Sequence, residues 1–241
     1  MTQPTSRAET VGPGARGPLL SAYGLSKAFG PTQALTAASL TLAEGEIVAL
    51  MGPSGSGKST FLHCLAGIVR PDAGRVDYAG TDLARAADTR LSALRRTEFG
   101  FLFQFGQLVP ELSCVENVAL PLRLGGQRRR AAEREALRLM EHLDVADVAR
   151  RRPGACSGGQ GQRVAAARAL VTRPRVVFAD EPTGALDSLN GEKVLRLLTD
   201  TARENGSSVL LVTHEARVAA YADREVIVRD GRTLDVAGGA R

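Results

Sequence analysis

Residues 52–60 read Gly-Pro-Ser-Gly-Ser-Gly-Lys-Ser-Thr and satisfy the pattern G-x-x-x-x-G-K-S/T of a phosphate-binding P-loop. The apolar run 47–51 in front of this stretch is typical of a buried strand, and residues Ser59 to Ile68 favour a helix. A P-loop requires this strand–loop–helix context. The stretch therefore predicts an α/β fold built around a phosphate site.

The residue types of this loop suit a bound nucleotide. Glycines let the main chain approach a polyphosphate, whose oxygens can then meet consecutive N–H groups at a helix N-terminus. Lys58 is expected to reach the β- and γ-phosphates, Ser59 to ligate Mg²⁺ and Thr60 to lie by the α-phosphate. The alternative is a Gly/Ser turn ahead of a core helix, which the agreement of residue types with context disfavours. The predicted nucleotide-binding residues of this stretch are Gly52, Pro53, Ser54, Gly55, Ser56, Gly57, Lys58, Ser59 and Thr60.

Length and composition are those of a globular protein with a mild positive charge. The 241 residues, 44% hydrophobic and 24% charged, suffice for one large domain or two small ones. The net charge of +5 suits an acidic ligand or lipid headgroups. Aromatic residues make up only 4%, and no arginine cluster is interleaved with them, so no nucleic-acid partner is expected.

Cysteine usage and hydropathy predict a cytosolic protein. Cys64, Cys114 and Cys156 are odd in number and lack metal-ligand spacing, so we expect reduced thiols. No apolar run approaches 18 residues, and no signal peptide is recognisable. We therefore expect no membrane-spanning segment.

Strands alternate with helices along most of the chain, which predicts a mostly parallel sheet covered on both faces. Short strand-like pieces with turn breaks at Gly24 and Gly30-Pro31 precede the P-loop strand. Hairpins around Gly80 and at Asp230-Gly231 add an antiparallel part.

The predicted domain organisation is one folded domain, residues 18–236, with a helical subdomain inserted at about 105–172. One helix of this insertion is expected to bury a stripe of Ala136, Leu137, Met140 and Leu143. Residues 1–17 and 237–241 are expected to be disordered tails, because they are poor in large apolar side chains.

An acidic pair follows a second apolar strand. Asp180 and Glu181 end the run 176–179, as in a Walker B motif, where a carboxylate faces the metal of the P-loop. We expect Asp180 to hold Mg²⁺ through water and Glu181 to polarise the attacking water as a general base. An isolated Asp-Glu pair would be a solvated loop start, but the P-loop in the same chain favours the catalytic interpretation.

A second candidate phosphate-binding element opens another predicted helix at Ser157, Gly158, Gly159 and Gln160, followed by Gln162-Arg163. Ser-Gly-Gly at a helix start offers backbone N–H groups to an anion, although an ordinary N-cap is the alternative. One chain need not bind the same triphosphate twice. A site built from one chain's P-loop and the Ser-Gly-Gly segment of another predicts a two-fold dimer with two ATP molecules at its interface.

With these motifs, residues 19–236 resemble the ATP-binding subunits of ABC transporters. The segment 156–160 is similar to the signature motif of that family, with Cys156 where leucine is usual. The resemblance places Gln104 at the Q-loop, Asp187 in the D-loop and His214 at the switch histidine. It implies an ATPase with ATP and Mg²⁺ as cofactors and a P-loop NTPase fold of the ABC type.

The resemblance also implies roles for these residues. Gln104 would contact Mg²⁺ or the attacking water, Asp187 would organise the opposite protomer's site, and His214 would contact the γ-phosphate. Phe29 matches the position whose ring stacks on the nucleotide base, with a core aromatic as the open alternative. For His214 the alternative is a structural histidine at a strand end. The catalytic residues implied are Lys58, Gln104, Glu181 and His214.

Finer resemblance is to the lipoprotein-release, macrolide-export and cell-division group, through residues 103–110, 115–121 and 179–187. That group pairs the ATPase with a separate membrane permease, which implies a place on the cytoplasmic face of the plasma membrane. Residues 108–122 would then lie near the groove for the permease's cytoplasmic helix, or else pack in the core.

Other functions remain as alternatives. A soluble ABC ATPase acting on DNA or ribosomes is disfavoured, since the chain has neither a long coiled coil between P-loop and signature nor a second ATPase domain. A binding-only regulatory subunit is disfavoured by the intact Glu181 and His214. A structural adaptor would leave the P-loop and the acidic pair unexplained.

Overall fold

The structure, a computed structural model, describes residues 18–235. The predicted tails, 1–17 and 237–241, lie outside the described residues. The strands are β1 (Leu20–Phe29), β2 (Thr32–Leu42), β3 (Ile47–Met51), β4 (Ala73–Tyr78), β5 (Thr81–Asp82), β6 (Phe99–Phe103), β7 (Val176–Asp180), β8 (Ser208–Thr213), β9 (Arg224–Arg229) and β10 (Arg232–Asp235). The α-helices are α1 (Lys58–Leu65), α2 (Asp88–Thr97), α3 (Cys114–Leu124), α4 (Arg129–His142), α5 (Gly158–Leu170), α6 (Ser188–Asn205) and α7 (Ala216–Ala219), with 3-10 turns at Ala146–Val148 and Pro153–Ala155.

A six-stranded sheet in the order β10-β9-β3-β8-β7-β6 forms the centre of the fold. Every neighbouring pair in it is parallel except the β9–β10 hairpin at its edge. The predicted mostly parallel sheet is therefore confirmed. Along this sheet Met51 lies opposite Thr213, and Asp180 lies between Val212 and Phe103.

Alternate side chains of the parallel strands enter two different hydrophobic cores. Val48 and Leu50 of β3 join the first core, whereas Ile47 joins the second. In β7, Phe178 faces the first core and Ala179 the second. This period of two follows from the pleat of a strand. Helix α1 and a second sheet cover one face and helices α5 and α6 the other, as the sequence predicted.

The second sheet is antiparallel, with the strand order β2-β1-β4-β5. The predicted turn at Gly30-Pro31 joins β1 to β2, but the predicted break at Gly24 is wrong. Strand β1 continues through Gly24, whose φ is +59° and whose N–H donates to Ser39 Oγ at 2.9 Å. The pairing with β2 shifts register across this residue. Gly24 therefore lies in a β-bulge, which bends a strand without ending it.

Helix α1 ends sooner than predicted. It stops at Leu65, where the sequence favoured a helix as far as Ile68. The Ile68 N–H donates to His63 O at 2.9 Å, and Gly67 between them has a φ of +61°. This left-handed turn closes the helix and satisfies a terminal carbonyl group.

Helices α3, α4 and α5 share a third hydrophobic core. On α4 the buried residues Ala132, Ala136 and Met140 recur every four positions and so lie on one face. Leu137 is 38% exposed, so its predicted place in the buried stripe is wrong. It follows Ala136 by one residue, a rotation of about 100° around the helix axis.

Candidate functional site

Four of the predicted site segments follow the carboxyl ends of four neighbouring parallel strands. The loop 52–57 follows β3 and His214 follows β8. Asp180 ends β7, Glu181 comes directly after it, and Gln104 follows β6. Because these strands lie in the order β3-β8-β7-β6, the segments stand side by side along one edge of the sheet. We call this the catalytic edge. Open α/β sheets bind their ligands outside the carboxyl ends of the strands.

The P-loop has the backbone that its glycines were expected to allow. Gly57 has a φ of +103° and forms the N-cap of α1 without a side-chain cap, which leaves the first-turn N–H groups to another acceptor. A side chain at this position would lie 2.4 Å from Ala34 O. Lys58 Nζ donates to Gly52 O at 2.8 Å and to Pro53 O at 2.9 Å, so its ammonium group lies over the loop.

The polar groups of this loop divide into buried and exposed ones. Lys58 is buried, and Ser56 Oγ is buried without a hydrogen-bond partner among residues 18–235. Ser59 is exposed and Thr60 is half-buried on the first turn of α1. The tip of the loop, Pro53, Ser54 and Gly55, is exposed.

Glu181 and His214 are joined by a contact that the sequence did not predict. Glu181 Oε1 lies 2.7 Å from His214 Nδ1, and Glu181 Oε2 accepts a hydrogen bond from Thr213 Oγ1 at 3.4 Å. Glu181 has a φ of +46°, and its N–H donates to Val212 O at 2.9 Å. The imidazole is 54% exposed and the carboxylate 18% exposed. The histidine is therefore held by Glu181 while its ring remains open to solvent.

Asp180 has an oxygen atom available for a cation. Its Oδ1 is buried and has no hydrogen-bond partner within the described part of the chain. No cluster of three or more His, Cys, Asp or Glu residues that could hold a metal lies within 18–235. Mg²⁺ is commonly bound by one or two protein groups plus phosphate oxygens and water. One carboxylate with an unpaired oxygen, at the same sheet edge as the phosphate-binding loop and two strands from it, fits that mode.

A buried glutamine connects two segments of the catalytic edge. Gln162 in α5 is 4% exposed, and its Nε2 donates to Phe103 O at 2.9 Å and to Pro182 O at 2.8 Å. A side chain at Gly184 would lie 2.8 Å from Gln104 Nε2, so the chain after Glu181 packs closely on the Q-loop glutamine. The sequence placed Gln162 with the phosphate-handling residues, and no periodicity signal indicated this inward contact.

The candidate signature segment begins α5 with a reciprocal cap. Ser157 Oγ accepts a hydrogen bond from the Gln160 N–H at 3.2 Å, and Gln160 Oε1 accepts one from the Ser157 N–H at 3.0 Å. Gly159 is buried against α6, since a side chain there would lie 2.9 Å from Asn190 Oδ1. Asp187 caps α6 by accepting from the Asn190 N–H at 3.0 Å. The signature and D-loop segments are therefore in contact within one chain.

The structure does not bring the signature segment to the chain's own P-loop. Ser157 and Gly158 are exposed, and among residues 18–235 no hydrogen bond joins the segment 157–160 to residues 52–60. The N-cap alternative for Ser157 is therefore realised within one chain, while its outer surface remains available to another molecule.

Phe29 is 51% exposed at the end of β1, which rules out the core-aromatic alternative. Lys27 Nζ lies 5.5 Å from the centroid of its ring. An exposed aromatic face is available for stacking on a planar ligand.

Comparisons with known sequences agree with this geometry. Residues 35–184 match the ABC transporter family. The lipoprotein-releasing system ATP-binding protein LolD of Bordetella pertussis is 44% identical over 224 residues, covering 91% of this chain and 97% of that protein. LolD of Bacteroides fragilis is 38% identical over 211 residues, covering 88% and 98% of the two chains.

Solved structures agree as well. A dimeric post-hydrolysis state of the ATP-binding cassette MJ0796, bound to ADP and Pi, has a TM-score of 0.83 and 36% identity and covers 91% of this chain and 100% of that one. Clostridium perfringens cbiO1, part of an ABC transporter complex, has a TM-score of 0.81 and 25% identity, with 91% and 88% covered. The resemblance, the ABC-type P-loop fold and the ATPase expected from the sequence are thus confirmed. This chain belongs to the ABC transporter family, as an ATP-binding subunit that hydrolyses ATP.

Proposed function

We propose that this chain drives a separate membrane permease of the lipoprotein-release, macrolide-export and cell-division type by closing as a dimer over two ATP·Mg²⁺. The observation that carries the proposal is the exposed, pre-capped Ser157-Gly158 segment, which makes no hydrogen bond to the chain's own P-loop in the described range. Supporting it are the relatives named LolD and a cassette that is dimeric with ADP and Pi bound. In the dimer each signature segment would meet the γ-phosphate held by the partner's P-loop.

The catalytic edge supplies the hydrolytic groups. Lys58 would bind the β- and γ-phosphates, and Gln104 would orient the attacking water. Glu181 would accept a proton from that water. The contact of His214 Nδ1 with Glu181 leaves Nε2 of the same ring for the γ-phosphate. The neighbouring strand ends hold these groups in place before the substrate binds. Groups that are already in position lower the free energy of the transition state without having to reorganise during the reaction.

Ser59 and Asp180 would hold Mg²⁺ together with the phosphates. The unpaired buried Asp180 Oδ1 supports this assignment. When bound, Mg²⁺ neutralises charge that develops on the phosphate oxygens.

The remaining residues of the nucleotide site would contact the base, the phosphates and the partner protomer. Phe29 would stack on the base, and Asp187 would organise the opposite protomer's site. The phosphates would lie against the backbone of the P-loop. The residues proposed for these contacts in the two chains are Phe29, Gly52, Pro53, Ser54, Gly55, Ser56, Gly57, Lys58, Ser59, Thr60, Gln104, Ser157, Gly158, Gly159, Gln160, Asp187 and His214.

The permease would dock beside the Q-loop. A groove of about 400 Å³ is lined there by Ile68, Phe101, Phe103 and Pro121, and the neighbouring Phe105 is exposed. None of the helices in the described part of the chain is long and apolar enough to cross a membrane. We assign 18–236 to the ATPase domain and 105–172 to its helical subdomain. Binding to the permease would place the chain on the cytoplasmic face of the plasma membrane.

A variant that binds ATP without hydrolysing it tests the proposed dimer with two ATP molecules at its interface. Glu181→Gln removes the general base and should leave ATP binding intact, so light scattering should show a dimer in saturating Mg²⁺·ATP and a monomer without nucleotide. Ser157→Arg in the Glu181→Gln background adds a bulky cation to the exposed surface and should keep the protein monomeric. If the Glu181→Gln protein remains monomeric in saturating ATP, the proposed ATP-bound dimer is contradicted.

Co-purification from detergent-solubilised native membranes tests the partner. We expect a permease with four predicted membrane helices, as in the proposed group. A permease with six or more helices would contradict the subgroup, and ribosomal or DNA-bound partners without a membrane protein would contradict the transporter role. Phe105→Glu is the matched variant, since it should abolish co-purification without touching the P-loop.

A further inference from the structure

Two cysteines that are distant in sequence lie together next to the signature segment. Cys114 Sγ and Cys156 Sγ are 3.5 Å apart, although 42 positions separate the two residues. Cys114 is the first residue of α3 and is fully buried, whereas Cys156 is partly exposed and directly precedes the cap residue Ser157. Cys64, the third cysteine, lies on α1 in the first hydrophobic core.

The backbone around the two thiols is held in place on the α3 side. The Cys114 N–H donates to Arg151 O at 2.8 Å, and the Val115 N–H donates to Ala149 O at 2.9 Å. The start of α3 is therefore tied to the chain that leads to Cys156. Cys156 itself lies beyond this tether, in the short segment between the 3-10 turn and α5.

We propose that Cys114 and Cys156 form a reversible disulfide on oxidation by a peroxide, and that this bond lowers ATP hydrolysis by displacing the Ser157 cap. The part concerning ATP hydrolysis rests on the role proposed for the signature segment. The formation of the disulfide rests only on the proximity and exposure of the two thiols.

The oxidation is a balanced two-electron reaction in two steps. The Cys156 thiol first loses its proton, and the resulting thiolate attacks one oxygen of hydrogen peroxide. The O–O bond breaks, and the leaving hydroxide takes up the released proton to become water. Cys156 is then a sulfenic acid. The Cys114 sulfur attacks the Cys156 sulfur, the S–O bond breaks, and hydroxide leaves with the Cys114 proton as a second water. Two thiols are oxidised to one disulfide and one peroxide is reduced to two waters.

The surroundings assign different roles to the two thiols. Burial, together with the contact with Cys156, raises the pKa of Cys114 to about 12, so Cys114 remains a thiol at neutral pH. Peroxide reaches the partly exposed Cys156 first, and Cys114 then resolves the sulfenic acid. Burial also raises the pKa of Cys64, to about 11, and this thiol serves as an internal comparison.

We expect bond formation to displace the signature segment. A disulfide has an S–S distance of about 2.05 Å, so the 3.5 Å separation must shrink by roughly 1.5 Å. Since the start of α3 is tethered and buried, the displacement falls on Cys156 and on the adjacent Ser157. The Ser157–Gln160 capping box would then shift. A misplacement of about 1 Å in a catalytic arrangement can cost on the order of 100-fold in rate.

The test uses the purified full-length chain, treated with hydrogen peroxide or left reduced. Peptide mass spectrometry should find a Cys114–Cys156 linked peptide after oxidation, and dithiothreitol should remove it. Hydrolysis at saturating ATP should fall at least tenfold on oxidation and return on reduction. Cys64→Ala should behave like the unmodified sequence in both measurements.

Cys114→Ala supplies the matched variant. It should hydrolyse ATP when reduced and should keep that activity after peroxide, because Cys156 has no resolving partner. Cys156→Ser provides a second check on the linkage, because it should yield no linked peptide after oxidation. This check remains usable if Cys114→Ala folds poorly.

Absence of the linked peptide in the oxidised unmodified chain overturns the proposal. Equal loss of activity in the unmodified chain and in Cys114→Ala overturns the regulatory part, because the loss would then come from another oxidation. A linked peptide with unchanged hydrolysis overturns the same part. A failure of the dimer model in the light-scattering experiment leaves the linked-peptide result standing on its own.

Discussion

Glu181 Oε1 and His214 Nδ1 lie 2.7 Å apart at the ends of the adjacent strands β7 and β8. The contact joins the proposed general base to the proposed γ-phosphate ligand. The two side chains are therefore expected to act as a unit. Residues in direct contact show non-additive effects when both are replaced.

The first prediction is a double-mutant cycle on this pair. Glu181→Gln should lower kcat by about 10²- to 10⁴-fold, the usual contribution of a general base. His214→Ala should also lower kcat, and adding it to Glu181→Gln should lower kcat by less than it does alone. Phosphate release at saturating Mg²⁺·ATP provides the measurement.

An exposed histidine–carboxylate pair elsewhere serves as the control for this cycle. His142 Nε2 lies 3.4 Å from Glu204, between α4 and α6. His142→Ala should leave kcat unchanged. Fully additive effects of Glu181→Gln and His214→Ala would contradict a functional coupling between the two.

The second prediction contrasts two glycines of α5. Gly159→Ala places a methyl group 2.9 Å from Asn190 Oδ1, so Asn190 must shift and its hydrogen bonds with Asp187 weaken. Gly161 has no atom within 4 Å of an added Cβ. Gly161→Ala should therefore raise the free energy of unfolding by about 0.5–1 kcal/mol, the helix preference of alanine over glycine. Gly159→Ala should not stabilise the protein and should lower ATP hydrolysis.

Urea unfolding and phosphate release distinguish the two variants. Equal gains in stability from Gly159→Ala and Gly161→Ala would show that the contact with Asn190 does not constrain the start of α5.

The third prediction concerns a buried asparagine that organises the start of α3. Asn117 is fully buried; its Oδ1 accepts from the Val109 N–H at 2.7 Å, and its Nδ2 donates to the carbonyls of Val109 and Ser113 at 3.0 and 3.1 Å. Asn117→Ala leaves the Val109 N–H without its partner, while Val109 O and Ser113 O keep the N–H groups of Leu112 and residue 117. The substitution should cost about 1–3 kcal/mol of unfolding free energy. Urea unfolding measures the loss.

Asn205→Ala, at the exposed end of α6, is the matched control and should change stability by less than about 0.5 kcal/mol. A similarly small effect of Asn117→Ala would mean that water replaces the lost hydrogen bonds.

The fourth prediction is a pH dependence at the cap of α6. The backbone N–H of Asn190, and then its side-chain amide, hold the pKa of Asp187 below its ordinary value of 3.8. The stabilisation by the charged carboxylate is therefore fully present above pH 3.8 and is lost as the pH falls through the lower, folded-state pKa. Asp187→Asn keeps a capping oxygen without the charge.

Urea midpoints of the two proteins should differ at pH 7 and converge as the pH is lowered below 3.8. Midpoints that differ by the same amount at both pH values would show that the charge of Asp187 plays no part in the cap.

The parts of the structure that depend on local pattern could be predicted from the sequence. Strand β3 has the predicted bounds because its apolar run stops at Gly52, and β7 covers the predicted run 176–179, which stops at the polar Asp180. Because consecutive parallel strands end at one edge, the motifs at those ends could be expected to meet.

Contacts between distant segments could not be predicted in the same way. The pairing of Cys114 with Cys156 depends on how α3 packs against the chain before α5. Gln162 is polar and sits among polar residues in the sequence, so only its two carbonyl partners explain its burial. A glycine such as Gly24 is typical of a turn, so the sequence predicted a break there. The strand nevertheless pairs with β2 and β4 on both sides of this residue, which makes it a β-bulge.

The two hydrogen bonds of Gln162 have a mechanical consequence. Gln162 Nε2 on α5 donates to Phe103 O at the end of β6 and to Pro182 O after Glu181, so one side chain joins these three segments. Any swing of the helices α3 to α5 against the central sheet must either turn about Gln162 or break both bonds. The side chain thus acts as a fixed point. The signature segment begins α5 about one helical turn from Gln162, so such a motion would move that segment less than the C-terminal end of the helix at Leu170.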